Sequence, residues 1–365
     1  MDPCTRLFAY CRPGFERETL AEIQARGARL GFACTGEARD RFGGVVIGLE
    51  NLRQARLLLE KLRDPHPVFA RHLLAIDAGG EPLPPGDRIA PLLTRLERLA
   101  EEHGRFSSLW MGAPDSEEGR AMTPLCRALQ ARLEAGLRER GILDEARQAM
   151  RVEVVLLSGT EALTGISLVG DASSWPMGIP RLRRPVAAPS RASLKLEESL
   201  VVFLTPRERA NWLAPGRSAV DLGAAPGGWS RMLLADGLRV IAVDRAEMAP
   251  ELKKESRLRH VREDGFRFRP EQPVDWLMCD MVEQPRRIVE LVANWAVSGW
   301  CKMALFNLKL PMKKRFEELE MCRGRLTGAL RTAGIGHRVD FRHLYHDREE
   351  VTGLLRVTGG KGLRR

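Results

Sequence analysis

The chain has 365 residues, and its 58 lysines and arginines exceed its 48 acidic residues, which leaves a formal net charge of +10. This length allows two or three domains, and the positive charge favours a phosphate-rich partner such as nucleic acid. The seven cysteines form no CxxC pair, and no stretch has the pattern of a membrane span or a signal peptide. The composition therefore argues against a disulfide-stabilised secreted domain and a membrane protein, and predicts a cytoplasmic protein with reduced thiols.

Strand-like and helix-like stretches alternate through the first 170 residues, without a nucleotide-binding loop. Residues 1–50 are predicted to form a small α+β unit with strands over 7–11 and 44–48 and a helix over 15–26. Residues 51–170 are predicted to form a second α+β unit, with strands over 68–76, 107–111, 152–157 and 163–169 and helices over 87–101 and 122–140. The arginine-rich segment 127–140 has two interpretations, an RNA contact or an ordinary charged helix face.

A proline-rich segment separates the two halves of the chain. The prolines and arginines between residues 175 and 190 argue against a regular element, so residues 171–189 are predicted to form an extended basic linker. Two functions fit this linker equally, contact with an RNA backbone or service as a stiff, soluble hinge.

Residues 190–365 are predicted to form an α/β domain. The alternation of elements predicts a mostly parallel sheet with helices on both faces and one late antiparallel strand. The predicted strands lie at 219–223, 240–244, 260–263, 276–280, 303–310, 338–345 and 351–358, and the helices at 229–234, 286–296 and 314–332.

The segment 219–230, AVDLGAAPGGWS, predicts a cofactor site, because it combines a buried strand, a glycine turn and a helix start. A second apolar run ends in Asp244, about 20 residues beyond Gly223, where nucleotide-binding α/β folds place a carboxylate on ribose hydroxyls. The loop departs from the dinucleotide fingerprint, with Ala225 at the second glycine position followed by the rigid Pro226. The string Asp221-x-Gly-x-x-Pro-Gly-Gly instead resembles the S-adenosylmethionine loop of Rossmann-like methyltransferases, and the ligand of that loop has no phosphate.

Lys309 and Asp280 each lie at the end of an apolar strand, at the edge where parallel sheets bind ligands. Transfer of a methyl group to an alcohol needs a base within hydrogen-bond reach of the hydroxyl, and Lys309 is the predicted base, with Asp280 beside it. A lysine can act as this base only if its pKa falls from about 10.4 to about 7–8, a shift equivalent to roughly 4 kcal/mol. Desolvation near a second ammonium can lower the pKa by this amount.

Several strings resemble the FtsJ/RrmJ-type ribose 2′-O-methyltransferases. They are DLGAAPGGWS at 221–230, SRASLK at 190–195, Cys279-Asp280, Leu308-Lys309 and the EEV of 349–351. The longer strings FNLKLPMKK at 306–314 and YHDREEVT at 345–352, with Val282-Glu283, are similar to the RlmM group, which methylates a cytidine of bacterial 23S ribosomal RNA. The resemblance extends from about residue 190 to the C-terminus, and the string CRPGFE at 11–16 extends it weakly to the first half.

The resemblance implies a Rossmann-like methyltransferase domain at 190–365, a ferredoxin-like subdomain at 1–50 and a THUMP-like RNA-binding domain at 51–170. It implies a catalytic tetrad of Lys195, Asp280, Lys309 and Glu350, where the family's Glu-Val pair favours Glu350 over Glu349. It also implies that Asp244 binds the ribose of S-adenosylmethionine and Asp264 the adenine amine. The full set of expected cofactor-binding residues is Ser190, Ser193, Gly223, Ala225, Pro226, Gly227, Gly228, Asp244, Asp264 and Asp280.

The implied substrate is a cytidine in the peptidyl-transferase region of 23S rRNA, in naked or partly assembled form. We expect a monomer without a metal, since the histidines show no zinc-ligand pattern. The basic run Lys313-Lys314-Arg315 has two interpretations, a phosphate contact or a basic surface turn. The alternative function is a non-catalytic RNA-binding or assembly factor that keeps the fold.

Overall fold

The computed structural model describes residues 6–77, 82–144, 150–168, 173–182 and 192–359. The chain divides into two compact units, Met1–Arg181 and Leu182–Arg365. None of the helices in the described ranges is both long enough and apolar enough to cross a membrane.

The first unit contains one seven-stranded sheet in the order β2-β3-β1-β4-β7-β6-β5. Neighbouring strands are antiparallel except for β5 and β6, which are parallel. The strands are β1 Arg6–Cys11, β2 Thr35–Glu37, β3 Gly44–Gly48, β4 Ala70–Ile76, β5 Ser108–Gly112, β6 Met150–Leu156 and β7 Ala162–Leu168. The helices are α1 Glu16–Arg29, α2 Leu52–Lys61, α3 Ile89–His103, α4 Glu117–Ala121 and α5 Thr123–Glu139.

Apolar side chains lie on both faces of this sheet. On one face, Leu7 and Ala9 of β1 belong to a core that includes residues of α1, α2, α3 and α5. On the other face, Phe8 and Tyr10 belong to a smaller cluster with Leu74 of β4. Because β1 is central and buried on both faces, its sequence is continuously apolar, which is why it was predictable. The predicted division at residue 50 stays a prediction, and β4 lies directly beside β1 in this sheet.

The described part of the predicted linker is packed rather than extended. Pro176–Gly178 forms a single 3₁₀ turn, and Ile179 behind it is buried. Gly178 lies so close to β4 that a Cβ atom there would stand 2.3 Å from the carbonyl oxygen of Arg71. Residues 173–181 therefore belong to the first unit. Residues 171–172 and 183–189 of the predicted linker lie outside the described residues.

The second unit contains a seven-stranded sheet in the order β10-β9-β8-β11-β12-β14-β13. Its strands are β8 Ser218–Leu222, β9 Arg239–Val243, β10 Leu258–Val261, β11 Val274–Cys279, β12 Cys301–Lys309, β13 Gly336–Arg342 and β14 Glu350–Gly359. Its helices are α6 Ala192–Phe203, α7 Pro206–Trp212, α8 Gly228–Ala235, α9 Pro285–Val297 and α10 Arg315–Thr332.

Five strands, β10, β9, β8, β11 and β12 in sheet order, are parallel to one another. Strand β14 runs antiparallel to both β12 and β13. Leu196 and Leu200 of α6 share one core cluster with Leu233 of α8 and Trp276 of β11. The predicted α/β class, with a mostly parallel sheet and a late antiparallel strand, is confirmed. The carboxyl ends of the parallel strands meet at one edge, which is where such sheets bind ligands.

Candidate active site

The loop between β8 and α8 begins and ends at glycines with left-handed backbone conformations. Gly223 has φ +75° and Gly227, which directly precedes α8, has φ +111°. A Cβ atom on Gly227 would lie 2.1 Å from Cδ1 of Leu252, and one on Gly223 would lie 2.8 Å from Cγ of Met281. Both positions therefore require glycine for conformational and steric reasons. The loop carries the backbone N–H groups of this segment to the carboxyl edge of the sheet.

Asp221 lies under this loop. It is buried, and the Ser230 hydroxyl lies 2.7 Å from its Oδ2 atom, which joins β8 to α8. Burial raises the pKa of Asp221 to about 7, the Ser230 hydrogen bond opposes this rise, and the nearby Asp280 adds to it. Burial therefore leaves this carboxyl about half protonated at neutral pH.

Asp244 directly follows β9 and holds the same loop from the side. One carboxylate oxygen accepts from the Ala225 N–H at 3.0 Å, and the other accepts from the Ala246 N–H at 2.8 Å. Asp264 accepts from the Phe266 N–H at 2.9 Å and pairs with the exposed Arg245 guanidinium at 2.9 Å. Both acids therefore sit in ordered positions at the carboxyl edge.

The chemistry of these side chains indicates which ligand fits the loop. Asp244 and Asp280 are acids directly after the ends of β9 and β11. A diphosphate would meet carboxylates here, whereas a phosphate-free nucleoside carrying a positive charge would be favoured. The set fits a cationic nucleoside such as S-adenosylmethionine better than a dinucleotide.

The four predicted tetrad residues lie together at the same edge. The Lys195 Nζ atom is 2.7 Å from Glu350 Oε1 and 3.2 Å from Asp280 Oδ1. The Lys309 Nζ atom is 3.7 Å from Glu350 Oε2. Lys309 and Glu350 are direct partners in the β12–β14 register, so the antiparallel pairing itself brings them together. Asp280 follows β11, and Lys195 lies in the first turn of α6.

The two lysines have different surroundings. Burial by itself lowers the pKa of Lys195, but the carboxylates of Asp280 and Glu350 outweigh it and raise the pKa. Lys195 is therefore a buried ammonium that joins two acids. The side chain of Lys309 is 35% exposed, so its amine can reach a substrate. The sequence placed Lys309 beside Asp280, but the ammonium in contact with Asp280 is that of Lys195.

Glu349 and Glu350 have separate partners. Glu350 contacts the two lysines, while Glu349 Oε2 lies 2.6 Å from the guanidinium of Arg315. The side chain of Arg315 is largely buried, unlike those of Lys313 and Lys314. Of the predicted basic run, only the two lysines are therefore exposed to a partner.

Ser193 is buried in the first turn of α6, and Ser190 lies outside the described residues. Within the described ranges, no group of three or more His, Cys, Asp or Glu side chains is arranged to hold a metal ion. One neighbour of the tetrad had no predicted role: the Asn307 side-chain amide donates to Asp280 Oδ1 at 2.8 Å. Its signal in the sequence is a polar residue inside the apolar run of β12.

Comparison with known proteins identifies the family. The model of the FtsJ-like methyltransferases matches residues 188–320, that of the RlmM ferredoxin-like domain matches 4–74, and that of the N-terminal region of ribosomal RNA large subunit methyltransferase M matches 87–168. Ribosomal RNA large subunit methyltransferase M of Methylococcus capsulatus is 43% identical over 351 residues, which cover 96% of this chain and 98% of the relative. The chain belongs to the ribosomal RNA large subunit methyltransferase M family.

A second member of this family, from Cellvibrio japonicus, is 42% identical over 352 residues and is covered to 99% of its length. Among solved structures, an rRNA methylase described as putative from Clostridium thermocellum is 14% identical, with a TM-score of 0.35, and covers 46% of this chain and 97% of its own. That likeness is too distant to add to the assignment. The resemblance drawn from the sequence is confirmed by the close relatives. The N-terminal matches identify the first unit as part of the family's architecture, whereas its THUMP character stays a prediction.

Proposed function

We propose that this methyltransferase uses S-adenosylmethionine to methylate the ribose 2′-hydroxyl of a cytidine in the peptidyl-transferase region of 23S rRNA. The observation that carries the proposal is the cluster of Lys195, Asp280, Lys309 and Glu350 at the carboxyl edge of the sheet. Two amines and two carboxylates beside a glycine loop suit proton removal from an alcohol at a methyl donor. The choice of cytidine and of the rRNA region comes from the sequence resemblance.

The cofactor would be held by the edge residues already described. The loop 223–228 would line its methionine side, Asp244 would accept from the ribose hydroxyls, and Asp264 would accept from the adenine amine. When bound, S-adenosylmethionine supplies a methyl carbon on a positively charged sulfur. Asp280, at the end of the strand next to β8, provides negative charge near that position.

Lys309 would act as the base. Its neutral amine accepts the proton of the ribose 2′-hydroxyl as the oxygen–methyl bond forms and the sulfur–methyl bond breaks. Lys195 remains an ammonium and keeps Asp280 and Glu350 in place. The proton on Lys309 then passes to solvent through its exposed side.

Substrate RNA would approach across the loops that follow β11 and β12. Val282 is 83% exposed and Met312 is 73% exposed, the two highest values among the exposed large apolar side chains of the described residues. Val282 follows Asp280 by two positions and Met312 follows Lys309 by three, so both flank the cluster. Exposed Lys313 and Lys314 come next and would contact phosphates. Apolar contact for a base beside cations for a backbone is the combination that an unpaired nucleotide requires.

The decisive experiment replaces the proposed base. Lys309→Ala is expected to lower kcat for methylation of unmodified 23S rRNA by about 10³-fold or more while cofactor affinity stays within about twofold of wild type. Lys302→Ala is the matched control, because Lys302 lies on the same strand and pairs with Asp275 at the opposite end. Near wild-type turnover in Lys309→Ala would show that Lys309 is not the base.

The same experiment separates catalysis from the alternative of a non-catalytic RNA-binding factor. Such a factor would bind rRNA but transfer no methyl group in its wild-type form. Mapping 2′-O-methyl groups on rRNA from cells with and without the gene tests the substrate. A single ribose methyl on a cytidine that depends on the gene supports the proposal, and a methyl on another atom or nucleotide contradicts it.

A further inference from the structure

Three polar residues that the proposed reaction does not use lie behind Asp280. Asn307, Thr352 and Asp347 are all fully buried. Asn307 on β12 and Thr352 on β14 are direct partners in the strand register, and Asp347 lies in the loop before β14. Three fully buried polar groups in contact require a complete set of hydrogen bonds.

The contacts form a continuous chain. The Asn307 amide nitrogen lies 2.8 Å from Asp280 Oδ1, and the Thr352 hydroxyl lies 2.8 Å from Asn307 Oδ1. The same hydroxyl lies 3.1 Å from Asp347 Oδ2 and 3.3 Å from its Oδ1. The backbone N–H of Leu344 donates to Asp347 Oδ2 at 3.1 Å. Asp347 is thus connected to Asp280 through two neutral side chains.

The available protons determine which group donates and which accepts in each of these hydrogen bonds. The Asp280 carboxylate, which pairs with Lys195, only accepts, so Asn307 must present its NH₂ group to it. The Asn307 carbonyl oxygen then needs a donor, and the single proton of Thr352 fills that role. An ionised Asp347 would leave acceptor oxygens facing the lone pairs of Thr352. A protonated Asp347 donates to Thr352 and completes the chain.

The charge balance of the cluster agrees with this assignment. Asp280 and Glu350 already place two carboxylates on Lys195, so a charged Asp347 would add a third negative charge beside Glu350. Burial raises the pKa of Asp347 well above its usual range; Lys195 opposes this rise, and Glu350 adds to it.

We propose that Asp347 is a neutral carboxylic acid that donates to Thr352, which donates to Asn307, which holds the Asp280 carboxylate in its catalytic orientation. Asp280 Oδ1 receives both the Asn307 amide and, at 3.2 Å, the Lys195 ammonium. Rotation of the carboxylate would break these two contacts together. Asn307, Thr352 and Asp347 are positioning residues, and their effect on turnover rests on the proposed function.

Thr352→Val removes the central hydroxyl and keeps the shape of the side chain. We expect kcat to fall by roughly 10- to 100-fold, the scale of a hydrogen bond to a charged group, with KM for RNA and cofactor affinity within about twofold of wild type. Thr352→Ser restores the hydroxyl and is expected to restore most of kcat. An unchanged kcat in Thr352→Val, or an equal loss in both variants, would contradict the proposed positioning of Asp280 through these hydrogen bonds.

The proton on Asp347 has its own test, which does not use activity. The infrared difference spectrum between the wild-type protein and Asp347→Asn at neutral pH should contain the carbonyl stretch of a buried carboxylic acid, whereas any band from the partly protonated Asp221 is common to both proteins and cancels. If the difference spectrum instead shows an ionised carboxylate, the proposed direction of the chain is wrong. Failure of the proposed function would appear separately, as wild-type protein that does not methylate rRNA while the infrared band is present.

Discussion

Each unit buries a cluster of charged and polar side chains, and the two clusters differ in position. In the first unit, Glu153 lies in the middle of β6, 2.8 Å from His72 Nε2, and accepts from the Ser167 hydroxyl. Arg151, on the same strand, stacks its guanidinium over the Trp110 ring, 3.1 Å from its centroid. In the second unit, the acids and lysines lie at strand ends, where Lys309 is partly open to solvent.

The clusters also differ in how their carboxyl groups are balanced. Burial by itself raises the pKa of Glu153, but His72, Ser167 and Arg151 outweigh it and lower the pKa. At Asp221 and Asp347 burial prevails, and the pKa of each is raised. Burial of charge alone therefore does not mark a catalytic site. Strand ends, a partly exposed amine and two buried acids with raised pKa values distinguish the second cluster from the cluster of the first unit.

The sharpest test of this distinction removes Glu153. Glu153→Leu leaves His72 and Ser167 without their acceptor, so we expect the first unit to lose about 3–5 kcal/mol of stability. Hydrogen exchange of β4, β6 and β7 in the full chain measures this loss, with the exposed Glu101→Leu as the control. Methylation per folded molecule should be unchanged. A selective fall in kcat, with stability retained, would place chemistry in the first unit as well.

Asp221 predicts a pH dependence of the opposite sign to that of a salt-bridged acid. Its folded-state pKa, about 7, exceeds its ordinary value of 3.8, so the folded protein retains a proton that the unfolded chain loses. Below about pH 4, this difference contributes up to about 4 kcal/mol to the free energy of unfolding. The contribution is lost as the pH rises to about 7. Asp221→Asn should flatten this part of the profile in urea unfolding. Identical slopes in both proteins would contradict the neutral form of Asp221.

The assignment of Glu350 is tested against its neighbour. Glu350→Gln removes the charge between the two lysines, and we expect kcat to fall about 100-fold, equivalent to about 2.7 kcal/mol. Glu349→Gln disturbs only the pair with Arg315 and should leave kcat within about twofold of wild type. Equal kcat values for the two variants would remove Glu350 from the tetrad.

The smallest effect is expected from the exposed lysines after β12. Lys313→Ala or Lys314→Ala should each reduce the slope of log affinity for rRNA against log salt by about 0.7, if each contacts one phosphate of a single strand. Lys302→Ala, at the other end of β12, is the control. If the slope of log affinity against log salt is unchanged in both variants, neither lysine contacts a phosphate of the RNA.

The sequence predicted those parts of the fold that depend on local pattern. The central strands β1, β8, β11 and β12 are apolar runs, and their order follows from alternation with helices. The three-residue strand β2 was missed because it is exposed and carries no apolar pattern. Helix α7 was missed although Thr205 and Glu208 form a capping box, a signal that the sequence does contain.

The sequence predicted which residues at strand ends belong to the candidate site, but it did not predict the hydrogen bonds between their neighbours. Lys309 and Asp280 stood out because each charge ends an apolar run, whereas Glu350 needed the family resemblance. The roles of Asn307, Thr352 and Asp347 depend on which residues face each other between β12 and β14. That register joins positions about 45 residues apart, and only the folded sheet determines it.

The position of β14 has a consequence for how activity appears during synthesis. This late strand is inserted between β12 and β13, and it supplies both Glu350 and Thr352. Once the ribosome has synthesised the chain up to the end of β13, the nascent chain already contains the glycine loop, Asp280 and both lysines. A product that ends before β14 would lack both Glu350 beside Lys309 and Thr352 beside Asn307. We therefore expect such a truncated product to be inactive even where its glycine loop is formed.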